Sequence, residues 1–222
     1  MFEGDVEATV VRKCEDHLEV ELFSPKSSDP QMSFNSILAD AGMAPQPIAP
    51  APPSSEASPS VAAASTQEQL PSLVVWINSP GDFYVQCIND TNAIATLQIT
   101  LNSHYANSAS SGNYVPALGD KCAALYSDGA WYRAKAVEMM SPLSTKVLFL
   151  DYGNEEVVVN DNIRPLEKQF HEEPGKALHC GLDRVAPLGG QGGKWSEEAL
   201  TFMRQKVGCL GFIHRVVKVS LI

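Results

Sequence analysis

Three turn signals, Asp128-Gly129, Ser141-Pro142 and Gly153-Asn154, cut residues 121 to 160 into strand-sized pieces. Glycine accepts positive φ at no steric cost, so Asp-Gly closes a tight hairpin, and Ser-Pro marks a loop. Between the breaks lie Lys121–Tyr126, Trp131–Val137, Thr145–Leu150 and Glu156–Asn160, all readable as short strands. Four or five short antiparallel strands in about fifty residues fit a small, strongly bent barrel.

Aromatic rings gather at the ends of these strands. Tyr126 and Tyr132 flank the Asp128-Gly129 turn, Phe149 lies on the third strand, and Tyr152 follows three residues later. On a regular strand that spacing places Tyr152 on the face opposite Phe149. Both rings line one pocket only if the chain turns near 151–153, which Gly153-Asn154 permits. Ring faces carry negative quadrupole density, and each cation–π contact contributes roughly 0.5–2 kcal/mol depending on desolvation. Four rings around two turns, with Asn154 at the rim, therefore suit capture of a bulky, weakly hydrated cation. The competing assignment is core, where aromatics of a small barrel commonly lie. Trp131 is assigned to the core, because it alternates with Tyr132 and faces the other way. Asp151 has two readings: an acidic rim group, or a turn former bonded to its own backbone.

This segment resembles the Tudor domain, and specifically the extended Tudor domain of germline Tudor-domain proteins and of the staphylococcal-nuclease/Tudor protein. The match is carried by Gly119-Asp120-Lys121-Cys122, Asp128-Gly129-Ala130-Trp131-Tyr132-Arg133-Ala134, Val147–Phe149, Asp151-Tyr152-Gly153-Asn154 and Ile163-Arg164-Pro165-Leu166. It continues through Phe170, Pro174, Ala177, Cys180-Gly181-Leu182, Val185-Ala186-Pro187 and Trp195 to Phe202, and covers about residues 72 to 222. The resemblance implies a β-rich α+β fold: a five-stranded Tudor barrel, about residues 114–168, inserted into an OB-like, staphylococcal-nuclease-like domain. The OB-like parts would be about residues 73–113 and 169–222. It also implies a non-catalytic reader of symmetrically dimethylated arginine in Arg-Gly or Arg-Ala peptides, such as Piwi-type Argonaute tails. The setting implied is that of a cytoplasmic adaptor in the germ granules (nuage) of the piRNA pathway, among other germ-granule proteins. The family's four cage positions fall on Tyr126, Tyr132, Phe149 and Tyr152, and its hydrogen-bonding Asn falls on Asn154. Methylation removes donors from a guanidinium and adds apolar surface, which favours ring faces over water. The remaining N–H on a methylated nitrogen is what the Asn154 oxygen would select. Physics alone leaves methylated arginine and methylated lysine both open.

Outside the barrel, Asp5–Arg12 and His17–Phe23 read as strands, with Leu18, Val20 and Leu22 alternating against Glu19 and Glu21. Ser33–Ala41 reads as a short helix with Phe34, Ile37 and Leu38 on one side. Residues 1–43 resemble the strand-strand-helix tail of a preceding tandem repeat. The alternative is that they complete an open sheet edge of the final domain, through contacts between Leu18–Leu22 and Leu210–Ile222. Residues 44–72, rich in Pro, Ala and Ser, bury too little apolar surface to offset ordering entropy and read as a flexible linker. Leu73–Ile77 and Asp82–Cys87 read as a hairpin about Ser79-Pro80-Gly81, followed by a helix from about Asn89 to Ala106. Ala177–Ala186 reads as a strand, residues 189–193 as a Gly-rich turn, Ser196–Lys206 as a helix, and Leu210–Ile222 as strand-like.

Composition narrows the function. The formal net charge of the 222 residues is −10, so no electrostatic footprint for RNA or DNA is expected. An acidic surface steers Arg-rich peptides instead. A nucleic-acid-binding OB-like module is an alternative, resting on a basic strip around Arg133, Lys135 and Lys146; a scaffold with an unused cage is another. No cluster of carboxylates stands ready for nuclease chemistry, since Glu155-Glu156 reads as a solvated strand start, so no catalytic residue is assigned. Cys14, Cys87, Cys122, Cys180 and Cys209 show no C-x-x-C spacing, so neither a metal nor a cofactor is expected; Cys122 and Cys180 read as buried thiols. His179-Cys180 is no ligand pair, because neighbours on a strand point to opposite faces. No apolar run reaches the roughly eighteen residues of a membrane span.

Overall fold

The computed structural model describes residues 6–14, 17–23, 33–44, 68–106, 114–189, 193–207 and 216–221. In chain order they form strands β1 (Val6–Lys13) and β2 (Leu18–Phe23), helix α1 (Phe34–Asp40), and strands β3 (Glu68–Ser79) and β4 (Asp82–Cys87). Helix α2 (Thr91–Tyr105) precedes strands β5 (Lys121–Leu125), β6 (Trp131–Ser141), β7 (Ser144–Phe149), β8 (Glu155–Val159) and β9 (Ile163–Pro165). Strand β10 (Ala177–Leu182), helix α3 (Glu197–Val207) and strand β11 (Val216–Leu221) follow. The chain divides into two compact units, residues 84–179 and residues 1–83 with 180–222, and crosses between them inside β4 and β10. This is the expected β-rich α+β class, with a five-stranded sheet inserted into a second β-structure.

In the inserted unit the strand order is β8-β7-β6-β5-β9, all antiparallel. β8 and β9 are therefore the two edges, yet only the single 3₁₀ turn Asn160–Asn162 joins them. Four strand spacings of about 4.8 Å would separate the edges of a flat sheet by about 19 Å. Four peptide steps reach at most about 14 Å. The sheet must roll, and register shifts in β6 after Ala136 and Met139 supply local bends. Helix α2 covers one face. Its buried residues Ile94, Leu101 and Tyr105 recur at helical spacing, and Leu101 and Tyr105 cluster with Ala123, Trp131, Leu166 and Phe170. The Asn102 amide acts as a surrogate strand: Oδ1 accepts the Trp131 N–H at 2.8 Å and Nδ2 donates to the Trp131 carbonyl at 3.2 Å.

In the other unit six strands close into a barrel ordered β1-β11-β3-β4-β10-β2. The strand pairing named by sequence, Leu18–Leu22 against Leu210–Ile222, is not the one formed. β1, not β2, pairs with β11, in parallel from Val6↔Val217 to Thr9↔Ser220, while β2 pairs with β10 from Cys180↔Leu18 to Leu182↔Val20. Helix α1 starts at an N-cap, Ser33, whose hydroxyl accepts the Ser36 N–H at 3.3 Å. Its buried Asn35 donates to the Asp183 carbonyl at 2.6 Å, tying the helix to the end of β10. Phe34 stacks on Phe202 of α3 at 5.4 Å, and Ala199, Met203 and Val207 give that helix its buried stripe. β3 starts at Glu68 rather than Leu73, because residues 68–72 pair with Ser220–Val217 and Leu221 of β11. No local signal announces a partner so distant in sequence. The expected linker otherwise falls on residues 45–67, outside the described residues, as do 190–192 of the Gly-rich turn and Cys209. β10 ends at Leu182, short of the strand read to Ala186.

Candidate functional site

The β5–β6 hairpin is closed by Tyr126, whose N–H donates to the Ala130 carbonyl at 2.9 Å and whose carbonyl accepts from Gly129 at 3.0 Å. Gly129 holds φ +84, the conformation that the Asp-Gly pair foretold. Asp128 then serves twice: Oδ1 accepts the Ala130 N–H at 2.9 Å, and Oδ2 accepts the Tyr132 hydroxyl at 2.8 Å. Register sets the rings on one face. Ala124 pairs with Tyr132 and Ala134 pairs with Phe149, so each ring stands across from a methyl group that leaves it room.

Tyr126, Tyr132 and Phe149 meet as three mutually steep planes. Tyr126–Tyr132 centroids lie 5.9 Å apart at 84°, Tyr126–Phe149 5.3 Å at 87°, and Tyr132–Phe149 5.7 Å at 78°. Three near-perpendicular planes define the corner of a box. Tyr152 adds a wall to Tyr132, 5.3 Å away at 89°. Phe149 is the floor, 1% exposed, while the three tyrosines are half-buried. Below them lie Cys122, Ala124, Ala134, Val147, Val158 and Ile163. Burial first, and then the Asp128 carboxylate, push the Tyr132 phenol above its ordinary value; burial, Asp151 and Asp128 do the same to Tyr152.

Tyr152 joins Phe149 because the chain turns where expected. The Phe149 carbonyl accepts from Tyr152 N at 3.2 Å and Gly153 N at 2.8 Å, and the Phe149 N–H donates to the Asn154 carbonyl at 2.9 Å. Gly153 has φ +81, and a Cβ there would collide with the Tyr84 ring. Tyr84 in turn stacks on His179 at 4.7 Å. Asn154 is half-buried beside the turn, and among the described residues its side-chain amide makes no hydrogen bond.

The structure corrects both readings of Asp151. It is 4% exposed and accepts from Arg133 through Nε–Oδ2 at 3.0 Å and Nη2–Oδ1 at 2.6 Å, with the Lys176 N–H on Oδ1 at 3.1 Å. Arg133 spends its other donors on the carbonyls of Phe170, Glu173 and Pro174 at 2.9–3.1 Å. All five guanidinium N–H groups are thus used. The pair bolts the Tyr152 turn to the barrel. The expected basic strip is reduced to Lys135, which is exposed, since Arg133 is 1% exposed and Lys146 pairs with Glu155 at 2.5 Å. Trp131 faces the α2 side as expected, 8% exposed. Cys122 and Cys180 are buried, and burial pushes both thiols up to about 12. Asp128 and Tyr84 were missed by sequence reasoning. Asp128 looked fully accounted for by its turn, and Tyr84 is remote in sequence from the residues it supports.

This arrangement places a steep-walled aromatic corner, one rim amide and a buried ion pair on a rolled five-stranded sheet. The family model for the Tudor domain matches residues 65–184, more than half of the chain, and the chain belongs to that family. Among solved structures it resembles the extended Tudor domain of human TDRD1 in complex with a symmetrically dimethylated E2F peptide. That likeness has a TM-score of 0.59 and 28% identity, and covers 72% of this chain and 83% of that one. A mouse TDRD1 extended Tudor domain bound to a MILI peptide containing dimethylarginine gives a TM-score of 0.58 and 27% identity, over 68% of this chain and 74% of that one. Tudor domain-containing protein 1 of Danio rerio is 31% identical over 148 residues, 66% of this chain. The chain spans 12% of that relative's length. Among the described residues no helix is long and apolar enough to cross a membrane.

Proposed function

We propose that this domain is a non-catalytic reader of symmetrically dimethylated arginine. The aromatic corner of Tyr126, Tyr132 and Phe149, extended by Tyr152, carries the reading. Ring faces take the methylated, poorly hydrated cation, while Asn154 accepts the N–H that each singly methylated nitrogen retains. Asp128 serves the same end from the rim: it fixes the Tyr132 ring by its hydroxyl and adds negative potential beside the box. The floor is sealed, so a ligand enters from the tyrosine side. The domain's partners are Arg-Gly or Arg-Ala peptides of the Piwi-type Argonaute class, and its place is that of an adaptor in cytoplasmic germ granules.

The test is calorimetric titration with one Arg-Gly peptide in unmodified, asymmetrically and symmetrically dimethylated forms. The symmetric form binds best, Phe149→Ala removes binding, and Asn154→Ala narrows the gap between the two dimethylated forms. Equal affinity for all three peptides would instead identify a scaffold whose cage is unused.

A further inference from the structure

At the far end of the β1–β2 hairpin, in the unit that does not hold the cage, Cys14, His17 and Glu19 converge. One ligand atom from each lies within 4.8 Å of the other two. Strand geometry accounts for the convergence. The ladder pairs Lys13 with Leu18 and Arg12 with Glu19, and the Cys14 N–H donates to the His17 carbonyl at 2.9 Å. Cys14 and His17 are thus the next cross-strand pair and share a face, and Glu19, two residues beyond His17, shares it too. All three are half-buried.

We propose that Cys14, His17 and Glu19 bind a zinc ion that clips the end of this hairpin. A thiolate, an imidazole and a carboxylate suit zinc, whereas magnesium and calcium prefer oxygen ligands throughout. Tetrahedral bonds of about 2.0–2.3 Å set ligand atoms about 3.3–3.8 Å apart, so closing the site draws the ligand atoms together by about 1 Å. Three protein ligands leave a fourth position for water. The absence of C-x-x-C spacing led to no metal being expected; the relevant pattern is C-x-x-H-x-E, whose ligands are brought together by a hairpin and not by a zinc-knuckle turn. A metal that binds only the folded hairpin stabilises it, and this hairpin supplies both the β1–β11 and the β2–β10 ladders.

Cobalt(II) reports on such a site directly. The reduced 222-residue chain titrated with cobalt develops a thiolate-to-metal charge-transfer band and the intense visible bands of tetrahedral cobalt, saturating at one equivalent and bleached by zinc. Cys14→Ser abolishes the charge-transfer band, and His17→Ala and Glu19→Gln each weaken binding at least tenfold. Cys87→Ser, at another half-buried thiol, leaves the spectrum unchanged. Zinc raises the melting temperature of the parent chain and not of Cys14→Ser, with circular dichroism confirming that the variant is folded. Absence of the band, its survival in Cys14→Ser, or its loss in Cys87→Ser overturns the proposal. None of these readouts involves a peptide, so the outcome is independent of the cage.

Discussion

Trp131 and Tyr132 are neighbours in sequence and lie on opposite faces of one sheet, with opposite fates. On the Trp131 face, helix α2 brings Leu101 and Tyr105 down, and the Tyr105, Trp131 and Phe170 rings lie tilted at 31–40° in a sealed layer. On the Tyr132 face only the floor is sealed, and the rings stand steeply at 78–89° with half-exposed tyrosines. Residue type does not separate the two faces, because both are aromatic. What separates them is whether the chain supplies a helical lid and whether the rings sit at turns, where they can stand upright. An aromatic cluster becomes a core when covered; at an uncovered strand end it stays available to a ligand.

Mutations can break that distinction. Trp131→Ala should cost about 3–5 kcal/mol in urea unfolding, as large-to-small changes in sealed cores do. Affinity per folded molecule for the symmetrically dimethylated peptide should stay within about twofold, since the ring serves the closed face. A selective loss of affinity would mean that the faces are not independent. Gly153→Ala should cost about 1–3 kcal/mol, combining a left-handed backbone with the collision against Tyr84. Tyr84→Ala in the same chain should relieve the collision and leave the φ penalty, and full rescue would show that the turn is not strained. Tyr152→Ala, on the open face, should lower peptide affinity about 2- to 30-fold, the equivalent of roughly 0.5–2 kcal/mol for one ring. Its unfolding midpoint should move far less than that of Trp131→Ala, and the reverse order would place Tyr152 in the core.

The last effect is alkaline. Burial holds the Cys122 thiol beneath the open face at about 12, well above the ordinary thiol range, so the unfolded chain loses this proton first. Its contribution to stability is complete below about pH 9 and is lost as pH rises towards 12, at no more than roughly 1.4 kcal/mol per pH unit. The raised Tyr132 and Tyr152 phenols act in the same direction above about pH 10. Urea midpoints measured from pH 8 to 11 should fall, and less steeply in Cys122→Ala. An unchanged slope would mean that water reaches the floor of the box.

Local features were legible in the sequence because their causes are local. Asp128-Gly129 and Gly153-Asn154 announced both turns, and strand alternation separated Trp131 from Tyr132. Pairing between distant segments left no such trace. Nothing near Pro71 signals that it will lie opposite Lys218, so β3 read as linker for its first residues. β6 runs to Ser141, past the expected end at Val137, because β7 continues the ladder to Ser144. Arg133 was placed at the surface because lone charges belong there by default, and only the fold reveals the carboxylate and three carbonyls that surround it.

Arg133 carries one more implication, for sequence change. Lysine keeps the charge but offers three donors from a single point, where five are fixed in a plane here. Exchanging the two would strand at least two acceptors inside the protein, so the most conservative substitution on paper is ruinous at this position. A domain proposed to receive a foreign arginine stripped of donors is itself built around a native one whose every proton is committed.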